Sequence, residues 1–274
     1  KDHEYDLKYA VKDGRDLIKT IQKLNNVRTG FGGNVVYSKY DLRVDSLFDE
    51  HVTRNNFAAL KQKISQCRPQ DKLIITMSGH GLLDDELNWW FAGHDMDFEK
   101  PEKNGISYEM IMDLMDQSPS RYKMLLLDAC HSGELDRSAV YKADTSGKQA
   151  ENGNLVVQDF RGAKIKKMKS KIGLENSYEL MKEYFLDMNQ GTGVHVISAA
   201  AGDSYALESD AWNNGVFSYC VIRAILGADP DISKNGITVS ELQQYVSRKV
   251  EELTNGRQKP MTRSGNPEHD FVIW

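Results

Sequence analysis

Cysteine is scarce in this chain: only Cys67, Cys130 and Cys220 occur in 274 residues. An odd, sparse set of this kind excludes a disulfide framework, and no CxxC or His/Cys spacing marks a structural zinc site. It points to a reducing compartment, and the cytoplasm is the expected location. Long apolar runs are missing as well, none approaching the roughly 18 residues that a membrane-spanning helix needs. The first residues, KDHEYDLKYA, lack the apolar core of a signal peptide and also lack an initiator Met. A fragment or a processed chain is therefore expected. A strong net charge is absent too: 35 Lys and Arg stand against 40 Asp and Glu, leaving −5. Neither nucleic acid nor an anionic membrane is expected as a partner.

What remains is the composition of a soluble globular protein, 40% hydrophobic and 27% charged, with enough apolar residues for a sizeable core. Apolar residues from Leu7 to Leu24 recur at helical spacing. Val35 to Tyr37 reads as a strand. Thr53 suits the N-cap of a helix carrying Phe57, Leu60 and Ile64. Leu73 to Met77 is a continuous apolar, β-branched run, as a buried parallel strand requires. Trp89 to Phe91 reads as a short extended piece, and Ser107 as the cap of a helix bearing Met110, Ile111, Leu114 and Met115. Met124 to Leu127 and Val194 to Ile197 repeat the buried-strand pattern, the latter followed by a helix from Val216 to Leu226. Thr238-Val239-Ser240-Glu241 is a capping box opening a helix to about Leu253, and Phe271 to Trp274 reads as a closing strand. This alternation predicts an α/β fold, a mostly parallel sheet covered by helices on both faces. Active sites in such sheets gather beyond the carboxyl ends of the strands.

One stretch, from about Arg137 to Gly191, breaks the rhythm with polar, Gly- and Lys-rich sequence. Only weak strand (Leu155 to Val157) and helix (Ser177 to Asp187) signals occur in it. A loop of this length inside a compact domain is usually functional or disordered. It carries the basic run from Arg161 to Lys171, which reads either as a solvated charge run or as a ligand for an acidic surface.

Two of the buried strands run into reactive residues. Leu73 to Met77 leads to Ser78-Gly79-His80-Gly81, and Met124 to Leu127 leads to Asp128-Ala129-Cys130-His131-Ser132-Gly133. If neighbouring parallel strands end side by side, His80 and Cys130 meet at one sheet edge. Thiol chemistry needs that arrangement: a thiolate nucleophile, and an imidazole that stabilises it and protonates a leaving amine. The glycines flanking His80 leave backbone N–H groups open, and those of Gly81 and Cys130 are the candidates for an oxyanion hole. A lone strand-end cysteine is usually an inert small hydrophobe, and Gly-His-Gly alone is equally unspecific. The pairing of both motifs, each behind a buried strand, is what carries weight.

With their separation of 50 residues, these two motifs resemble the catalytic signature of the caspase-like cysteine peptidases, nearest to metacaspases and their bacterial relatives. The resemblance extends to Asp6 through Leu17, Val196 to Ala200, Asn213 to Ser218 and Ile237 to Pro260. It implies a caspase-like three-layer sandwich as a single domain: a large part (1–136), a polar linker (137–191) and a small part (192–274). It also implies a cysteine endopeptidase with His80 and Cys130 as its pair and protein substrates as its partners. Animal caspases have Gln where this chain has Asp128, so cleavage after Asp is not implied. Metacaspase-like enzymes carry this Asp in the pocket for the residue before the scissile bond, where a carboxylate selects Arg or Lys. By the same resemblance Ser78 and Asp13 line that pocket. On charge pattern alone Asp13 reads equally well as a solvated helix-face charge, and Asp203 and Glu208 are weaker acidic candidates.

The family's sheet begins with a strand before the first helix, and this chain begins inside that helix. A domain excised from a longer protein, with a sensing or repeat module upstream, is the expectation. The 137–191 linker is the expected place of self-processing. No cofactor is expected, although calcium is admitted as an activator because many metacaspases require it. Asp231, Ser233, Asn235, Gly236 and Glu241 approximate an EF-hand loop, but Glu241 falls one residue short of the twelfth position. A turn followed by a helix cap is the better reading. His94, Asp95 and Asp97 read as a solvated loop rather than a metal cluster, and His131 as a structural member of its motif. Two other functions stay open on the sequence: a catalytically idle scaffold of the same fold, and a different thiol hydrolase.

Overall fold

The computed structural model describes residues 7–28, 36–38, 40–84, 86, 88–129, 159–160, 193–199, 206–229, 232, 236–264 and 270–274. At its centre lies a four-stranded sheet. Three strands run parallel: β3 (Lys72–Ser78), β7 (Tyr122–Asp128) and β9 (Val194–Ser198), with β7 in the middle of the three. The fourth strand, β12 (Met261–Ser264), joins the outer side of β9 antiparallel. Its sequence, MTRS, has no apolar alternation, so it gives no strand signal of its own.

Alternation along β7 divides the core. Met124 and Leu126 face a layer formed by helices α1 (Ala10–Asn25), α5 (Val216–Ile225) and α6 (Val239–Leu253), together with Leu17, Ile197, Phe217, Val221 and Val246. Leu125 and Leu127 face the opposite way, towards Phe57 and Ile64 and towards Ile111 and Met115 of helix α4 (Tyr108–Asp116). Helices therefore cover both faces, as the alternating pattern predicts, and β7 is buried through its last residue.

The caps read from sequence are in place. The Thr53 hydroxyl accepts from Asn56 N at 3.2 Å, and Ser107 from Met110 N at 3.2 Å. Thr238 and Glu241 exchange the two bonds of a capping box, at 3.2 and 2.9 Å. The helix expected after Thr53 is broken at Leu60 into α2 (Arg54–Ala59) and α3 (Lys61–Ile64). The first helix starts at Ala10 rather than Leu7. Phe271 to Trp274 is not a sheet strand. It makes an isolated bridge between Val272 and Thr238, with Ile273 N donating to Ile237 O at 2.7 Å.

Three smaller sheets complete the described part. A hairpin pairs β1 (Asn26–Arg28) with β2 (Val36–Ser38). A three-stranded sheet joins β4 (Gly81–Leu83), β5 (Trp89–Phe91) and β6 (Ile106–Ser107). Another joins β8 (Asp159–Phe160), β10 (Leu207–Ser209) and β11 (Asn214–Gly215). The weak strand and helix signals at 155–157 and 177–187 lie outside the described residues. Among the described residues no helix is long and apolar enough to cross a membrane.

Candidate active site

Strands β3 and β7 end in register. Ser78 stands opposite Asp128, and the ladder continues one step beyond the strands, with Gly79 N donating to Asp128 O at 3.1 Å. His80 follows immediately. Cys130, the second residue after Asp128 in sequence, lies outside the described residues, as do His131 and Asp203.

Backbone geometry on the His80 side is set by the small sheet. Gly81 pairs with Phe91, Ala92 N donates to His80 O at 2.9 Å, and Asp84 N donates to Asn88 O at 3.0 Å. In an antiparallel ladder hydrogen-bonded and non-hydrogen-bonded pairs alternate. Positions 80/92 and 84/88 are of the bonded kind, so Gly81 and Phe91 form a non-bonded pair and the Gly81 N–H points away from β5. Gly79 is a glycine for a packing reason: a Cβ there would lie 2.6 Å from the Phe91 ring. The His80 ring is partly exposed and meets Phe98 edge-to-face, with centroids 6.1 Å apart and planes at 79°.

On the α1/α5 side of the sheet the same strand ends form a pocket. Its polar lining comes from Asp13 on α1, Thr76 and Ser78 on β3, Asp128 on β7 and Ser218 on α5, with Leu17, Leu126, Phe217 and Val221 among its apolar walls. Asp13 is not a solvated helix-face charge. It is 2% exposed, its Oδ1 accepts from Asn214 Nδ2 at 2.9 Å and Gly215 N at 3.0 Å, and its Oδ2 accepts from Ser78 Oγ at 3.3 Å. Asp128 is 3% exposed, and its Oδ2 accepts from Ser218 Oγ at 2.6 Å and from Ser218 N at 3.2 Å.

Two carboxylates that are 115 residues apart in sequence thus share one pocket and both bond to the first turn of α5 or the residues just before it. Burial of paired carboxylates is costly unless donors compensate the charge. The open N–H groups of a helix N-terminus, and the partial positive charge there, supply that compensation. Three of the residues expected together, Asp13, Ser78 and Asp128, are together. Sequence reading missed Ser218 and Asn214, although they stand at the start of a recognisable helix, because their partners come from elsewhere in the chain.

Glu208 has a different place. Its carboxylate accepts from Lys8 N and Tyr9 N, both at 3.3 Å, and so it sits on the N-terminus of α1. Neighbouring Asp210 takes bonds from the Lys8 ammonium and the Tyr9 hydroxyl. Glu208 is an anchor for α1 rather than a lining residue of the pocket.

The other two cysteines are outside this region: Cys67 is partly exposed, and Cys220 is buried in α5, where desolvation pushes its thiol up to about 12. Trp89 is packed in the core, and Trp90 donates its indole N–H to Asp84 at 2.8 Å. Gly236 has φ of 119°, and Glu241 serves the capping box; Asp231, Ser233 and Asn235 lie outside the described residues. Among the described residues no group of three or more His, Cys, Asp or Glu is arranged to hold a metal ion.

Comparison with known proteins agrees with this architecture. A crystal structure of a Geobacter sulfurreducens protein superposes with a TM-score of 0.57 at 15% identity, covering 96% of this chain and 86% of that one. At that identity the likeness concerns the fold. No curated protein shows significant similarity to the chain. The family model described as the caspase domain matches residues 1–272. With that match spanning nearly its whole length, the chain belongs to the caspase-domain family of cysteine peptidases.

Proposed function

We propose that this chain is a cysteine endopeptidase that cleaves after Arg or Lys, with His80 and Cys130 as its catalytic pair. The observation that carries the reading is the Ser78–Asp128 register. The two strands end level, and each motif's reactive residue comes two positions after the paired one. In extended chain residues two apart share a face, so a chain that continued extended past both strands would carry thiol and imidazole to the same edge.

In this mechanism the Cys130 thiol gives its proton to His80, and the thiolate attacks the scissile carbonyl carbon. The carbonyl π pair moves onto oxygen, and that oxyanion accepts hydrogen bonds from the Gly81 and Cys130 N–H groups. As the C–N bond breaks, the His80 imidazolium protonates the leaving amine and a thioester remains. Water, deprotonated by His80, attacks the thioester; Cys130 leaves and the carboxylic acid product is released. The pocket of Asp13, Ser78 and Asp128 takes the cationic side chain before the cleaved bond. Its two carboxylates are what a guanidinium or ammonium recognises. Calcium is proposed only as an activator, for which the described residues offer no cluster.

The linker at 137–191 follows the nucleophile and precedes β9. Its basic run from Arg161 to Lys171 matches the proposed selectivity, so we propose that the enzyme cuts itself there. The two products would stay associated, because core strands lie on both sides of the linker.

The test is labelling with a peptidyl acyloxymethyl ketone ending in Arg, followed by peptide mapping. The expected result is one adduct on Cys130 that is lost in Cys130→Ala, strongly reduced in His80→Ala and unaffected in Cys67→Ala. An idle scaffold would take up no label. Equal labelling by probes ending in Arg, Asp or Leu would remove the proposed selectivity.

A further inference from the structure

We propose that Ser218 is a specificity-determining positioning residue, which fixes the Asp128 carboxylate and so aims the charge that receives the substrate's cationic side chain. The proposal rests on the pocket assigned above. Ser218 lies in the first turn of α5, where backbone N–H groups have no partner within the helix. Both its N–H and its hydroxyl donate to one oxygen, Asp128 Oδ2, at 3.2 and 2.6 Å. Two donors from one residue on one oxygen define both the position and the rotation of a carboxylate.

The opposite wall is built in the same way. Asp13 Oδ1 accepts from Gly215 N and from the Asn214 side chain, at 3.0 and 2.9 Å. The start of α5 is therefore the common reference for both acidic groups, although they arrive from α1 and β7. The two fixings differ in kind. From the start of α5, Asp13 takes a backbone N–H and an amide, with the Ser78 hydroxyl adding a longer bond at 3.3 Å, whereas the shorter of the Asp128 bonds comes from a hydroxyl that a substitution can remove. Loss of that hydroxyl leaves the N–H bond as the one this turn gives Asp128 and weakens the constraint on the carboxylate's rotation.

The consequence falls on recognition rather than on bond cleavage, because the Ser218 bonds lead to the pocket carboxylate and not to His80. It also falls unequally on the two cations. A guanidinium binds through a planar fork and is sensitive to carboxylate orientation, whereas an ammonium is a compact charge with rotatable donors. Ser218→Ala is expected to raise KM for Arg substrates by roughly tenfold, as expected for a lost hydrogen bond to a charged group. It should raise KM for Lys substrates less and leave kcat close to wild type.

The experiment compares wild type, Ser218→Ala, Ser218→Thr, Ser218→Val and Asp128→Asn on peptides that differ only in Arg, Lys or citrulline before the cleaved bond. Steady-state kcat and KM are measured with a thermal melt of each variant. Thr and Val have nearly the same shape, so their difference isolates the hydroxyl even if the Ala variant does not fold. The expected result is wild-type-like discrimination in the Thr variant and a reduced Arg-to-Lys ratio in Val and Ala. If Val matches Thr in KM and in that ratio while Asp128→Asn loses the Arg preference, the Ser218 assignment is overturned and the pocket stands. If wild type cleaves the citrulline peptide as well as the Arg peptide, the pocket reading itself fails, and this inference with it.

Discussion

Ser78 stands opposite Asp128 in the parallel ladder and gives its hydroxyl to Asp13 at 3.3 Å, which ties two strand ends and the first helix into one polar cluster. The cluster lies at the carboxyl edge of the sheet, where a doubly covered parallel sheet offers its site.

Asp13 is as much a structural residue as a pocket residue. Asp13→Ala would leave the Gly215 N–H without the acceptor Asp13 Oδ1 and the Asn214 amide with Asp16 Oδ2, at 3.3 Å, in place of its shorter bond. A buried donor left unsatisfied costs about 1–3 kcal/mol. Chemical denaturation should show a loss of that order for Asp13→Ala and a smaller one for Asp13→Asn, which keeps an oxygen at the site. Equal stability of Asp13→Ala and wild type would show that these bonds contribute nothing net.

Gly79 should tolerate no side chain. The Cβ of Gly79→Ala would meet the Phe91 ring at 2.6 Å. Overpacking of this kind costs about 1–3 kcal/mol, and here it would also displace His80, the next residue. Gly79→Ala should lower both stability and kcat, and Phe91→Leu in the same chain should recover part of each. A double-mutant cycle measures the coupling, and strict additivity would refute the contact as the cause.

Phe98 should matter to His80 through its ring. The edge-to-face contact limits the orientations open to the imidazole, and such pairs contribute about 0.5–1.5 kcal/mol. Phe98→Ala is expected to reduce kcat by several-fold with KM little changed, while Phe98→Tyr should remain close to wild type. A rise in KM with unaltered kcat would instead make Phe98 a substrate contact.

Cys220 should be silent to alkylating agents in the native protein. Burial favours its neutral thiol and pushes it up to about 12, from 9.0. Because the folded value is raised, the stabilisation is complete below pH 9 and is lost as pH climbs towards 12. Mass spectrometry after iodoacetamide at pH 8 should find Cys220 unmodified until denaturant is added. In Cys220→Ala the fall in stability across the alkaline window should be shallower. Rapid native labelling of Cys220 would contradict its burial.

Much of this arrangement is legible locally. The apolar run 124–127 becomes β7 because a strand covered on both faces needs side chains without charge. The run 73–77 becomes β3, which is the edge strand of the sheet and is mainly half-buried, with only Met77 buried. Thr53, Ser107 and Thr238 announce helix starts because a cap is a contact between residues three apart. His80, Asp128 and Cys130 could be singled out since each follows directly on such a strand. β12 could not: its pairing with β9 satisfies the backbone, and MTRS carries no apolar pattern to betray it.

By itself, then, the sequence determined which segments could be buried strands, where helices begin and which reactive residues stand at strand ends. These properties depend on neighbours within a turn or a pleat. Only the tertiary structure decided that Ser78 pairs with Asp128 and that Glu208 anchors α1 instead of lining the pocket. It also decided that Asp13 and Asp128 converge on the start of α5, an arrangement that brings Ser218 to a partner 90 residues away. Such contacts follow from how whole layers pack, and a carboxylate looks the same in the chain whether water or a helix N-terminus will receive it.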